Sequence, residues 1–281
     1  MMLSGKSKVA GVMGWPISHS RSPMLHGYWL REYGIDGVYL PFSVDPINLE
    51  AALRALPALG IVGTNLTVPH KEAALEICDY VDDTARWIGA VNTIIVQNDG
   101  SLFGRNTDAF GFIENLKAES SWQAADGPAV ILGAGGAARA VVAALINEGV
   151  TNIRIVNRTF ERARALADAF DDACQPIGWP DVSESLRQSA LLVNTTTLGM
   201  TGQPMLNLTL DTLPATAVVN DIVYAPLETD LLREAAMRGN PVVDGLGMLL
   251  HQARPGFAAW FGHEPDVTPG LRNHIRAGLV T

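Results

Sequence analysis

The stretch Pro128 to Arg139, Pro-Ala-Val-Ile-Leu-Gly-Ala-Gly-Gly-Ala-Ala-Arg, limits the possible folds of this chain more than any other. Ala129-Val130-Ile131-Leu132 is an unbroken apolar run of the length of a buried strand. Gly133, Gly135 and Ala138 follow at the G-x-G-x-x-G/A spacing of a dinucleotide-binding turn. The first glycine permits the tight turn, the second lets backbone approach a pyrophosphate, and the small third residue lets helix and strand pack closely. The spacing predicts a helix over Gly136 to Glu148, whose first N–H groups would hold phosphate oxygens. Gly149 can end that helix, and Thr151 to Val156 reads as the next strand, completing a βαβ unit. An ordinary glycine-rich turn has the same spacing, so the residues downstream decide.

A site for NAD calls for an acid at the end of the second strand, about 20 residues past the glycines, to bind the ribose hydroxyls. This chain carries Asn157-Arg158-Thr159 there, with Arg162 and Arg164 close behind. No carboxylate stands at the strand end to repel a phosphate, and a guanidinium suits phosphate oxygens. Glu161 beside these arginines also allows a plain solvated helix face. Arg158 precedes the helix, which favours a 2′-phosphate contact and NADP as cofactor.

Strands and helices alternate on both sides of this unit. Lys8 to Met13, Val38 to Val44 and Ile61 to Pro69 read as strands, with helices from Pro23 to Tyr33 and Ile47 to Leu59 between them. Ser22 is placed as N-cap to Pro23, or, together with Ser20, as a carboxylate site at the helix start. Lys71 falls in the first turn of a helix predicted over His70 to Asp79, where it opposes the helix dipole. Ala90 to Gln97 and the strand from Leu102 flank the hairpin signal Asn98-Asp99-Gly100. Asp108, ahead of a helix over Phe110 to Ala118, reads locally as a cap.

Further strands are expected at Leu191 to Thr196, Ala217 to Tyr224 and Pro241 to Asp244. Gly245-Leu246-Gly247 reads as a hinge-like break before a helix over Met248 to Phe261, interrupted near Pro255. The fold class is therefore α/β, with two α/β domains in the 281 residues. A hydrophobic share of 48% supports cores for both. The net charge of −9 argues against nucleic acid as a partner. No apolar run reaches membrane-spanning length, the histidines lack metal-ligand spacing, and the two cysteines form no C-x-x-C. A cytoplasmic chain without a metal is expected, as monomer or homodimer.

Several short motifs resemble the shikimate dehydrogenase family, in order along nearly the whole chain. They are Gly14-x-Pro16-Ile17-x-His19-Ser20-x-Ser22-Pro23, Asn65-Leu66-Thr67-Val68-Pro69-x-Lys71, Gly89-Ala90-Val91-Asn92-Thr93 and Asn106-Thr107-Asp108. The series continues with Gly133-Ala134-Gly135-Gly136-Ala137, Asn157-Arg158-Thr159, Asp221-x-x-Tyr224-x-Pro226 and Gly247-Met248-Leu249-x-x-Gln252. The resemblance implies NADPH-dependent reduction of 3-dehydroshikimate to shikimate. It also implies a substrate domain with a mainly parallel sheet over 1–108, completed by C-terminal helices from 246–281, and a Rossmann-type NADP domain over 109–245. Ser20 and Ser22 would bind the substrate carboxylate, while Thr67, Asn92 and Gln252 would hold ring hydroxyls, with Tyr224 also on the substrate. Lys71 and Asp108 would be the catalytic pair. The Gly133–Ala137 turn, Asn157, Arg158, Thr159, Arg162, Ile222 and Gly245 would hold the cofactor. Gly27 and Thr197 depart from the family pattern, where a side-chain amide and a serine are common. Lys71 is open to two readings, proton donor or electrostatic and orienting group. A quinate/shikimate dehydrogenase using NAD and a non-catalytic NADP-binding sensor stand as alternatives.

Overall fold

Unbroken apolar runs and half-apolar runs along this chain sort into two separate sheets. A computed structural model describes residues 3–279. Among the described residues twelve strands form: β1 (Lys8–Gly14), β2 (Gly37–Ser43), β3 (Ile61–Leu66), β4 (Tyr80–Val81), β5 (Thr93–Val96), β6 (Leu102–Arg105), β7 (Ala129–Leu132), β8 (Ile153–Asn157), β9 (Cys174–Gly178), β10 (Leu191–Asn194), β11 (Val218–Asp221) and β12 (Val242–Val243). The chain divides into two units: residues up to Thr107 together with those from Gln252 onward, and Asp108–His251.

The first unit holds a sheet in the order β2-β1-β3-β5-β6-β4. β1 runs parallel to β2 and β3, β5 runs antiparallel to both β3 and β6, and β4 is parallel to β6. On one face Leu53, Leu56, Leu66, Ala85, Ile94 and Leu102 pack into a core. Helix Leu246–Phe261 presents Leu250, Ala253, Phe257 and Trp260, all buried, at helical spacing. The Trp260 indole N–H donates to the Ile94 carbonyl at 3.0 Å.

The second unit is a wholly parallel sheet in the order β12-β11-β10-β7-β8-β9. Every residue of β7 is fully buried, as expected for a central parallel strand covered on both faces. The order reverses between β7 and β10, the switch point at which open α/β sheets bind ligands outside the carboxyl ends of their strands.

Several local expectations are corrected. Ser22 is the first helical residue of Ser22–Glu32, and Arg21 takes the N-cap position without a side-chain cap bond. The helix expected over His70 to Asp79 shrinks to Ala74–Ile77, so Lys71 lies in a turn and not in a helix. The His70 N–H closes on the Thr67 carbonyl at 2.9 Å, and His70 Nε2 bonds the Val44 carbonyl at 2.9 Å. These tertiary ties hold residues 67–73 in turns. The helix expected over Ile47 to Leu59 opens with a 3-10 turn, Pro46–Asn48, capped by Asp45, and its α-helical part is Leu49–Ala55. Asp108 is the first residue of helix Asp108–Glu119, not a residue ahead of it.

Helix Leu246–Phe261 starts inside the supposed break and runs through Pro255 without interruption. Both glycines answer to close approach. A Cβ at Gly245 would lie 2.3 Å from the Ile222 carbonyl oxygen, and one at Gly247 would lie 1.7 Å from Asn115 Oδ1. The sequence reading also lacked β4 and β9, and it gave no bounds for the second of the expected C-terminal helices, Pro269–Ala277.

Candidate active site

In the first unit, strand direction brings the expected substrate groups to one edge of the sheet. β1 and β3 run parallel and end there, and the segments leaving them carry Ser20, Ser22, Thr67 and Lys71. β5 runs the other way, so Asn92, just before its first residue, lies at the same edge. β6 reverses again and delivers Asn106 and Thr107, after which the chain passes into the second unit at Asp108. The Thr67 N–H donates to the Met13 carbonyl at 3.0 Å, and the Val91 N–H to the Lys71 carbonyl at 2.8 Å. These two bonds tie the Lys71 turn to β1 and to the segment that leads into β5. The Ser20 hydroxyl oxygen accepts the Ser22 N–H at 3.3 Å, so the two hydroxyl-bearing residues form one local turn. Lys71 and Asp108 are each half-buried.

Beneath this edge runs a buried polar chain. Tyr39 Oη donates to Asn65 Oδ1 at 2.6 Å, and Asn65 Nδ2 donates to Thr93 Oγ1 at 3.0 Å and to the Asn92 carbonyl at 3.1 Å. Asn92 Oδ1 accepts from Thr93 Oγ1 and from the Thr107 N–H, each at 2.9 Å. Asn92 Nδ2 donates to Thr107 Oγ1 at 3.0 Å. Burial holds the Tyr39 phenol well above its ordinary range, so it stays a donor. The chain fixes the Asn92 amide from both ends, leaving little rotamer freedom to be lost on binding. His26 stacks on Tyr39 with ring centroids 3.9 Å apart.

In the second unit, the carboxyl ends of β7, β8, β10, β11 and β12 share one edge because all run parallel. Gly133 has φ +108°, and a Cβ there would meet Thr195 Oγ1 at 2.7 Å. Gly135 and Gly136 instead border open space, with nothing within 4 Å of a Cβ at either. Helix Gly136–Asn147 starts directly behind them. Open room above unpaired helix N–H groups fits a dinucleotide's diphosphate.

At the end of β8, Asn157 Nδ2 donates to the Thr159 carbonyl at 2.8 Å, which shapes the turn. Thr159 is N-cap to helix Phe160–Asp168 but makes no side-chain cap bond. Arg158, Thr159 and Arg162 are exposed. Glu161 pairs with Arg164 at 3.7 Å. The residues present suit a phosphorylated ribose.

Residues 12–94 match the shikimate dehydrogenase substrate binding domain, residues 116–203 match shikimate / quinate 5-dehydrogenase, and residues 245–271 match the shikimate 5′-dehydrogenase C-terminal domain. The chain is 60% identical to the shikimate dehydrogenase (NADP(+)) of Paramagnetospirillum magneticum, across 97% of this chain and 99% of that protein. It belongs to the shikimate dehydrogenase family. Among solved structures, shikimate 5-dehydrogenase from Thermus thermophilus, in complex with NADP(H) and shikimate, matches at 40% identity with a TM-score of 0.86, covering 96% of this chain and 99% of that one. Quinate dehydrogenase from Corynebacterium glutamicum, in complex with NAD, matches at 31% identity with a TM-score of 0.90, covering 96% and 99%.

Family membership directs attention to groups that the sequence reading left without a role. Tyr39 sits within a strand that reads as apolar filler, and nothing in its neighbours signals a bond 26 residues away to Asn65. Asp221 is fully buried at the end of β11, accepting from Asn194 Nδ2 at 3.0 Å, the Val223 N–H at 3.0 Å and Thr229 Oγ1 at 2.7 Å. Burial nonetheless pushes its carboxyl up to about 6. Asp221 thereby ties the loop bearing Ile222 and Tyr224 to the ends of two strands of this shikimate dehydrogenase family member.

Proposed function

We propose that this chain catalyses the reversible NADP-dependent reduction of 3-dehydroshikimate to shikimate, with the unit containing β1–β6 binding substrate and the unit containing β7–β12 binding cofactor. The observation that carries the reading is the convergence of Ser20, Ser22, Thr67, Lys71, Asn92 and Thr107 on one sheet edge, supported by the buried Tyr39–Asn65–Asn92 chain. Ser20 and Ser22 take the substrate carboxylate through hydroxyl and backbone N–H donors. Thr67, Asn92 and Gln252 hold ring hydroxyls, with Tyr224 completing the substrate contacts.

Bound NADPH supplies the hydride. The chain's own task is the charge that grows on the carbonyl oxygen as the carbon is reduced. Lys71, as an ammonium, places a positive charge at that oxygen and can deliver the proton that makes it a hydroxyl. Asp108, the second member of the proposed catalytic pair, accepts from a substrate hydroxyl beside the reacting carbonyl. In the oxidative direction the same pair receives the hydroxyl proton. Gly133, Ala134, Gly135, Gly136 and Ala137 hold the diphosphate, Asn157, Arg158, Thr159 and Arg162 the 2′-phosphate and its ribose, and Ile222 and Gly245 the nicotinamide end.

Cysteines Cys78 and Cys174 are both free thiols, in keeping with a cytoplasmic setting, and no described helix is long and apolar enough to cross a membrane. The deciding experiment follows reduced-cofactor absorbance with shikimate or quinate, each with NADP or NAD. Turnover of shikimate with NADP at the highest kcat/KM supports the assignment. A preference for quinate with NAD overturns it in favour of the reading that the Corynebacterium glutamicum relative suggests. Sedimentation of the same preparation reads monomer or homodimer.

A further inference from the structure

Asn115 lies where an apolar residue would serve packing better. It is 1% exposed on helix Asp108–Glu119, between the buried Phe112 and Leu116. A primary amide in such surroundings costs free energy unless its hydrogen-bonding groups are used. Its Nδ2 donates to the Asp244 carbonyl at 2.8 Å. Its Oδ1 has no partner, and the carbonyl acceptor opposite fixes which end of the amide faces Asp244. The side chain thus keeps one unpaired acceptor in order to make one bond, and a leucine of similar volume would avoid that cost.

The bond lands on a short stretch that is also held from two other directions. Asp244 Oδ1 accepts the Leu246 N–H at 3.0 Å and so caps the start of helix Leu246–Phe261. Gly245 is pressed against the Ile222 carbonyl, and Gly247 against the Asn115 amide itself, where no Cβ fits. Asp108 and Asn115 are seven residues apart, two helical turns and about 10 Å along the same face. One end of this face carries the Asp108 carboxylate, and the other grips the residues that start the helix leading to Gln252.

We propose that Asn115 is a positioning residue: its amide sets the register between the helix opened by Asp108 and the first turn of the helix that carries Gln252. The inference rests on the roles given above to Asp108 and Gln252. Loss of the Asn115 bond removes the hydrogen bond that fixes the register of the Asp108 helix against the Asp244–Gly247 stretch. A displacement of about 1 Å at a reacting group is enough to cost up to a hundredfold in rate.

The test uses Asn115→Leu, Gly247→Ala, Asn115→Ala and the Asn115→Ala/Gly247→Ala double variant of the full chain. Readouts are kcat, KM for shikimate and for NADP, and thermal midpoint. Asn115→Leu fills the space without the donor, so it should keep the wild-type midpoint while kcat falls about tenfold. KM for NADP should stay within about twofold, because the Gly133–Ala137 turn is untouched. Gly247→Ala displaces the amide from the other side and should show the same kcat loss, so the contact is still read if the leucine variant fails to fold. In the double variant the clash is gone, and the midpoint should return to that of Asn115→Ala while kcat stays low. Wild-type kcat in Asn115→Leu, or full recovery of kcat in the double variant, makes Asn115 mere filler and overturns the proposal. An equal rise in both KM values with the fall in kcat does the same, since it signals general disruption. A wild-type chain that turns over no shikimate with either cofactor removes the underlying functional reading instead.

Discussion

Replacing His26 by phenylalanine should flatten the acid limb of the stability profile. His26 is fully buried among Trp29, Tyr39, Phe257 and Trp260, with neither ring nitrogen hydrogen-bonded. Burial among those rings lowers the imidazole to about 3 from its ordinary 6.5. The sign follows from that direction. Above about pH 6.5 both folded and unfolded chains carry neutral His26, and the group leaves stability unchanged. As pH falls below that value the unfolded chain takes up a proton that the folded chain refuses, so stability is lost progressively down to about pH 3.

At about pH 5 the difference spans roughly 1.5 units, or about 2 kcal/mol of lost stability from this one residue. Phenylalanine keeps the stack on Tyr39 and removes the titration. Urea unfolding of both proteins at about pH 7.5 and about pH 5 should therefore show wild type losing about 2 kcal/mol more than His26→Phe on acidification. The comparison between the two proteins cancels every other titrating group. Equal acid sensitivity in the two would refute the reasoning, because it would mean that His26 protonates in the folded protein as readily as in the unfolded one.

Asp221 works in the opposite direction: its raised pKa of about 6 gives stability that is full below about pH 3.8 and lost as pH rises through 6. On going from about pH 7.5 to about pH 5, Asp221→Asn should lose about 1 kcal/mol more stability than wild type, read by the same urea titrations; an equal change in the two proteins would refute this assignment. Lys71→Ala should lower kcat by about a hundredfold or more with a modest change in KM for shikimate, and near-normal turnover in the folded variant would take Lys71 out of the mechanism. Arg158→Ala should raise KM for NADP by roughly ten- to a hundredfold while barely moving KM for NAD. Arg158→Asp should add repulsion of the phosphate and shift preference toward NAD. Equal loss with both cofactors in these variants would contradict a phosphate contact.

The second sheet was legible in the sequence because its signals are local. The run Ala129 to Leu132 can bury on both faces only as a central parallel strand, and Gly133, at φ +108°, occupies a backbone conformation that side chains rarely adopt. The absence of an acid at Asn157-Arg158-Thr159 is likewise written in consecutive residues. Short motifs around Ser20, Lys71, Asn92 and Thr107 named the right family, and strand order then brought those segments to one edge.

Local pattern misjudged the places where distant partners outweigh propensity. His70 and Lys71 read as the first turn of a helix, yet bonds from Val44, Thr67 and Val91 hold the segment in turns. Gly245 and Gly247 read as a flexible break because glycine permits flexibility, but here each makes room for a neighbour, Ile222 and Asn115. Pro255 read as an interruption, yet the buried stripe from Leu246 to Trp260 keeps the helix continuous through it.

The sequence by itself determined the α/β alternation, the dinucleotide turn and the lack of a carboxylate where NAD requires one, and it nominated the side chains proposed to react. Only the tertiary structure decided how those side chains are held: Asn92 by a chain that begins at Tyr39, Asp221 by Asn194 and Thr229, and the start of helix Leu246–Phe261 by an amide 129 residues away from Asp244. The physical reason is one of range. Backbone conformation and hydrophobic period are set by neighbours within a few residues, whereas a buried polar group is satisfied by whichever donor or acceptor the folded chain brings within about 3 Å, however far off in sequence.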